Sequence, residues 1–113
     1  MSSMPKIEHE PEEGRGRWVM RMEGVEPRDW PEMTFRRTGA RTILIDHTGV
    51  PPRLEGRGLG SALVKRGVAD ARARGWRIVP ACPFVAVAFR RHPEWSDLLA
   101  DGSYSRTVPR AAP

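Results

Sequence analysis

Three glycines at alternate positions, Gly56, Gly58 and Gly60, separate the strongest strand pattern of the chain from its longest helix pattern. Glycine at such a bend removes side chains, so a strand turns sharply into a helix and leaves its backbone N–H groups bare. Before the loop, Ile43, Ile45 and His47 alternate with Leu44, Asp46 and Thr48. That period of two predicts a strand over residues 42–47, with His47 on the face of the two isoleucines. Pro51-Pro52 then ends its ladder. After the loop, Leu63, Val64, Gly67, Val68 and Ala71 form one stripe, which predicts a helix over residues 59–74. Gly75 stands where a left-handed C-terminal cap belongs. A further strand over 77–81 completes a strand–helix–strand unit, which favours a parallel pair joined by a right-handed crossover.

Upstream, Trp18, Met20 and Met22 alternate with polar residues over 17–23, and Met33 and Phe35 do so over 33–37. Both segments read as half-buried strands. Thr38-Gly39-Ala40 is short enough to join the second to the 42–47 strand as a hairpin. Pro83 opens a second helix over 83–91, Pro93 breaks it, and 94–99 allows one more turn. The predicted fold is a single α/β (α+β) domain, an antiparallel meander followed by β-α-β and a C-terminal helix. Residues 1–16 are rich in Glu, Pro, Gly and Ser, show no apolar periodicity and read as a flexible arm. Residues 17–99 form the domain, and 100–113 read as a flexible tail.

Composition narrows the function classes. A chain of 113 residues, 39% hydrophobic and 29% charged, holds one globular core. It has no apolar run near the ~18 residues that span a membrane, and no apolar leader, so the expected setting is cytoplasmic. Its single cysteine, Cys82, excludes an intrachain disulfide and the zinc sites built from cysteine pairs, and no metal is expected. The net charge is +5, with 17 of the 19 basic residues arginine. Such an excess attracts polyanions in general. The arginines are scattered along the sequence with no aromatic-interleaved run, so no nucleic-acid partner is expected.

Bare amides at the start of a helix suit a phosphate, although three glycines also serve a merely tight turn. The Walker pattern is absent. The dinucleotide fingerprint requires a third glycine where this chain has Ser61 or Leu63. The stretch Val50-Pro51-Pro52-Arg53-Leu54-Glu55-Gly56-Arg57-Gly58-Leu59-Gly60-Ser61-Ala62-Leu63 resembles the acetyl-coenzyme A pyrophosphate loop of the GCN5-related N-acetyltransferases. Asp46-His47-Thr48, Val79-Pro80-Ala81-Cys82-Pro83-Phe84 and Arg91-His92-Pro93-Glu94-Trp95 extend the likeness to the very small YjdJ-type subfamily.

The resemblance implies a mixed sheet splayed between the His47 and Cys82 strands, with the pantetheine of acetyl-CoA in the gap. It implies cofactor binding by Thr48, Val50, Arg57, Gly58, Leu59, Gly60, Ser61 and Phe84, with Lys65 or Arg90 as further phosphate partners. Two positions depart from the family pattern: Glu55 replaces the usual Gln or Arg, which predicts weaker phosphate binding, and Gly49 replaces a frequent Glu.

Acetyl transfer to an amine requires a base for the amine and stabilisation of the leaving thiolate. The tyrosine that serves as acid in larger relatives has no counterpart on the last helix, because Tyr104 lies in the tail. His47 is a candidate base, or a structural core histidine. Cys82 is a candidate nucleophile, or a small buried hydrophobe. His92 reads mainly as an anchor of the helix end. The expected function is acetyl-CoA-dependent N-acetyl transfer to an amine. The alternative is coenzyme A binding without amine transfer, with acylation on Cys82.

Overall fold

The structure, a computed structural model, describes residues 5–100. Five strands, β1 (Ile7–Glu12), β2 (Arg15–Met20), β3 (Glu32–Gly39), β4 (Thr42–Gly49) and β5 (Arg77–Pro80), form one sheet in that order. The first three pairs are antiparallel and β4–β5 is parallel. Helix α1 (Leu59–Arg74) makes the crossover between β4 and β5, and α2 (Pro83–Arg91) follows β5. Gly75 takes φ 72° and ends α1 as a left-handed cap, its N–H bonded back to Ala71 and Arg72. The final turn, Pro93–Leu98, is a 3-10 helix, after which Leu99 lies beside Ile78.

The expectations for the N-terminal part require correction: the strand predicted over 17–23 runs over Arg15–Met20, so residues 15–16 are not in an arm and 21–23 are not in the strand. Residues 7–12 are not an arm but an edge strand, paired with β2 from Ile7↔Met20 to Glu12↔Arg15. Its polarity is that of an edge. Glu8 and Glu10 meet Arg21 and Arg17 on one side, each at 2.9 Å. His9 packs on the other side against Trp18 and Phe35, with ring centroids at 5.5 and 5.8 Å. The first four residues and the predicted tail from 101 onward lie outside the described residues.

Both helices cover one face of the sheet. Trp18, Met20, Met33, Phe35, Ile43, Ile45 and Ile78 are all buried there, against Leu63, Val64, Val68 and Ala71 of α1 and Val85 and Phe89 of α2. Gly67 gives α1 its close approach, since a Cβ there would lie 2.7 Å from the Met33 methyl. Trp18 Nε1 donates to Asp70 Oδ2 at 2.8 Å, and Arg66 holds the same carboxylate at 3.1 Å. This clasp fixes α1 over β2. The opposite face carries polar pairs: Arg17 bridges Glu10 and Glu32, and the Thr34 hydroxyl donates to Asp46 Oδ1 at 2.6 Å.

Candidate active site

Two features of β4 create the site. The first is where its pairing with β5 stops. The parallel ladder runs from Thr42↔Arg77 to Ile45↔Pro80. The amides of Ala81 and Cys82 then both donate to the Ile45 carbonyl, at 3.1 and 3.0 Å. That shared acceptor closes the ladder, and no described residue beyond Pro80 pairs with residues 46–49. The strands part there.

The second is a bulge. Phe35 pairs with Ile45, but Thr34 pairs with His47, so Asp46 is an extra residue on β4. A one-residue insertion exchanges the faces of everything after it. His47 consequently does not share the face of Ile43 and Ile45. It is exposed on the sheet surface without helices, with its ring over Gly49, where a Cβ would lie 2.9 Å from Nε2. Thr48 takes the inner face instead, opposite the buried Met33. The Cys82 thiol is 3.7 Å from its hydroxyl. Cys82 is buried at the N-cap of α2. The two predicted catalytic side chains thus stand in different environments, and the polar neighbour of the thiol is Thr48 rather than an imidazole.

On the helix side of the split lies a cavity of about 650 Å³. One wall is Thr48, Gly49 and Val50, the floor is the glycine loop, and the other wall is α2. Gly58 is the N-cap of α1 at φ 76°, a left-handed conformation, with no side chain capping the helix. The first intrahelical bond in this turn runs from the Ala62 N–H to the Gly58 carbonyl at 3.0 Å. The amides of Leu59, Gly60 and Ser61 precede it, which leaves an uncapped helix N-terminus facing the cavity. Gly60 must lack a side chain for a second reason, because a Cβ would lie 2.9 Å from Phe84 Cζ. Phe84 is 48% exposed, beside the loop.

Of the eight residues predicted to bind cofactor, Thr48, Val50, Gly58, Leu59, Gly60, Ser61 and Phe84 line this cavity; Arg57 is exposed and does not. Sequence reasoning missed Val87, Ala88 and Arg91, which line it with Phe84. Their spacing of i, i+3, i+4, i+7 marks one face of α2, a legible signal. Glu55 also lines the cavity. Its potential partner Arg53 turns instead to Asp29 at 3.3 Å, and Glu55 meets no cation among the described residues. His92 stands at the far end, with Nδ1 2.9 Å from Glu94 Oε2 and its ring stacked 4.0 Å from Trp95. The bond from His92 holds the Glu94 carboxyl below its ordinary range.

A parallel pair that splays over a cavity, with a glycine-opened helix at its end, defines an acyltransferase-like fold. The family described as GCN5-related N-acetyl-transferase matches residues 17–98, and the chain belongs to that family. Its fold is similar to that of a GCN5-like protein from Staphylococcus aureus, solved by NMR. The two share 27% identity over 82% of this chain and 87% of that one, with a TM-score of 0.62. It is also similar in fold to a ribosomal-protein-alanine N-acetyltransferase from Brucella melitensis, with 21% identity, 80% and 67% coverage and a TM-score of 0.52. No curated protein sequence matches the chain.

Proposed function

We propose that this protein is an acetyl-CoA-dependent N-acetyltransferase of the small YjdJ-type branch, acting on an amine. The observation that carries the reading is the opening of β4 onto a cavity that ends at the uncapped N-terminus of α1. The donor set fits coenzyme A: an unpaired strand edge for an amide-bearing arm, bare helix amides for a pyrophosphate, and cations beside them. In this reading the backbone of Thr48 and Val50 aligns the arm, the amides of residues 58–61 hold the pyrophosphate, and Arg57 and Arg91 meet the outer phosphates. Bound acetyl-CoA supplies an activated acyl group. His47, exposed on the sheet face away from the cavity, accepts the proton of an amine that enters the split from that face. Glu55 places a negative charge at the phosphate end and weakens binding.

A thiol-release assay with a panel of small amines and peptide N-termini tests this reading. Amine-dependent release is expected, reduced by roughly 10²-fold or more in His47→Gln. A wild-type protein that binds acetyl-CoA but releases no thiol with any amine contradicts the transfer activity. The position of the Cys82 thiol, 3.7 Å from the hydroxyl of the cavity-lining Thr48, favours a second reading, coenzyme A binding with acylation on sulfur. It predicts an acetyl adduct in the intact mass that is absent from Cys82→Ala.

A further inference from the structure

The described arginines separate by partner. Seven of them lie within 2.6–3.6 Å of a carboxylate. Most of the others gather at opposite ends of β4. Arg57 and Arg91 belong to the end with the cavity. Arg37, Arg41 and Arg74 meet at the other end, where the β3–β4 hairpin reaches the C-terminus of α1. None of these three is paired with a carboxylate among the described residues, and all three are exposed. Residues well apart in sequence thus form a cluster that the scattered pattern along the chain conceals.

The cluster is held in place. The Arg37 guanidinium lies 4.9 Å from the Trp76 ring centroid and that of Arg74 lies 5.3 Å away. The indole is itself buried, so it fixes the cations without offering a stacking surface. Arg37 Nη2 also donates to the Ala40 carbonyl at 3.2 Å. Arg41 Nη1 lies against Gly75, 3.2 Å from where a Cβ would stand. The helix dipole explains a cation at the end of α1, and Arg74 meets it, but Arg37 and Arg41 lie outside the helix. The turn whose Gly14 carbonyl accepts the Arg37 N–H at 2.8 Å carries Glu12, paired with Arg15 at 3.1 Å, and Glu13. Three guanidiniums outweigh Glu13, and their planar donor forks match phosphate oxygens.

We propose that Arg37, Arg41 and Arg74 form a second anion site, separate from the cavity, for a multiply charged phosphate. A free oligophosphate and a nucleic-acid backbone share that chemistry.

The test is an NMR titration of the full chain with inorganic tripolyphosphate, and separately with a short thymidine oligonucleotide, reading backbone amides and arginine side-chain N–H groups. The spectrum separates the two ends of the molecule, so this proposal stands or falls independently of the cavity. Saturable shifts at residues 37–41 and 74–77 support it. Binding of tripolyphosphate identifies a free phosphate ligand, and binding of the oligonucleotide alone identifies a nucleic-acid backbone. Arg41→Gln and Arg74→Gln should each weaken this binding roughly tenfold. Arg28→Gln, the same charge change elsewhere, should not. Shifts confined to residues 56–61, shifts that never saturate, or an equal effect of Arg28→Gln would overturn the proposal.

Discussion

A Cβ on Gly16 would lie 2.7 Å from Phe35 Cζ and 3.0 Å from the Glu10 carbonyl oxygen. Neither neighbour can yield cheaply, because Phe35 is in the core and the carbonyl belongs to the β1–β2 pair. Gly16→Ala should therefore destabilise the fold by about 1–3 kcal/mol, measured by urea denaturation. His9 makes a different prediction. Burial first, and then the charge of Arg74, push its imidazole below the ordinary 6.5, against the pull of Asp70. Its Nε2 is buried without a hydrogen-bond partner, among the described residues. The unfolded chain thus takes up this proton at a higher pH than the folded one. The stability contributed by neutral His9 is full above about 6.5 and is lost as the pH falls through the lowered folded value. The denaturation midpoint should fall on acidification below that pH, and His9→Phe should lack this part of the fall. An identical slope in both proteins would contradict the assignment. Neither residue announced itself in the sequence. Gly16 reads as part of a polar arm, and the extra residue at Asp46 that turns His47 outward leaves no local trace, because a bulge depends on the partner strand.

Helix α1 shows why some elements are legible. Its stripe, its glycine cap and the proline-opened helix after it are local chemistry, and the predicted bounds 59–74 and 83–91 coincide with the observed ones. Strand β1 was missed because only one of its faces is covered, and its three glutamates mask the alternation that they themselves create at positions 8, 10 and 12. The start of α1 carries the site, and two substitutions divide its conformational role from its electrostatic one. Gly58 sits at φ 76°, which Asn tolerates better than most residues. Gly58→Glu should abolish binding of acetyl-CoA because a carboxylate takes the phosphate position. Gly58→Asn should retain measurable binding. Equal loss in two folded variants would assign the effect to backbone strain alone.

At the scale of the molecule, the sheet has one face under helices and one polar face, and β4 has a chemically distinct region at each end. The order of strands β2 to β5 and the crossover followed from the sequence pattern, and the edge strand β1 did not. Seven of the residues lining the cavity could be named beforehand because the family resemblance implied a splay there; the residues themselves pointed only to the glycine loop. The convergence of Arg37, Arg41 and Arg74 could not, since tertiary structure alone brings them together around Trp76.

The most direct test of the central claim is a calorimetric titration of acetyl-CoA into the wild-type chain and into Gly58→Glu. The account predicts a saturable site near micromolar strength in the wild type, weakened somewhat by Glu55, and the loss of that site in the folded variant. No binding to the wild type, or equal binding to both proteins, would contradict the assignment of the cavity as the coenzyme site.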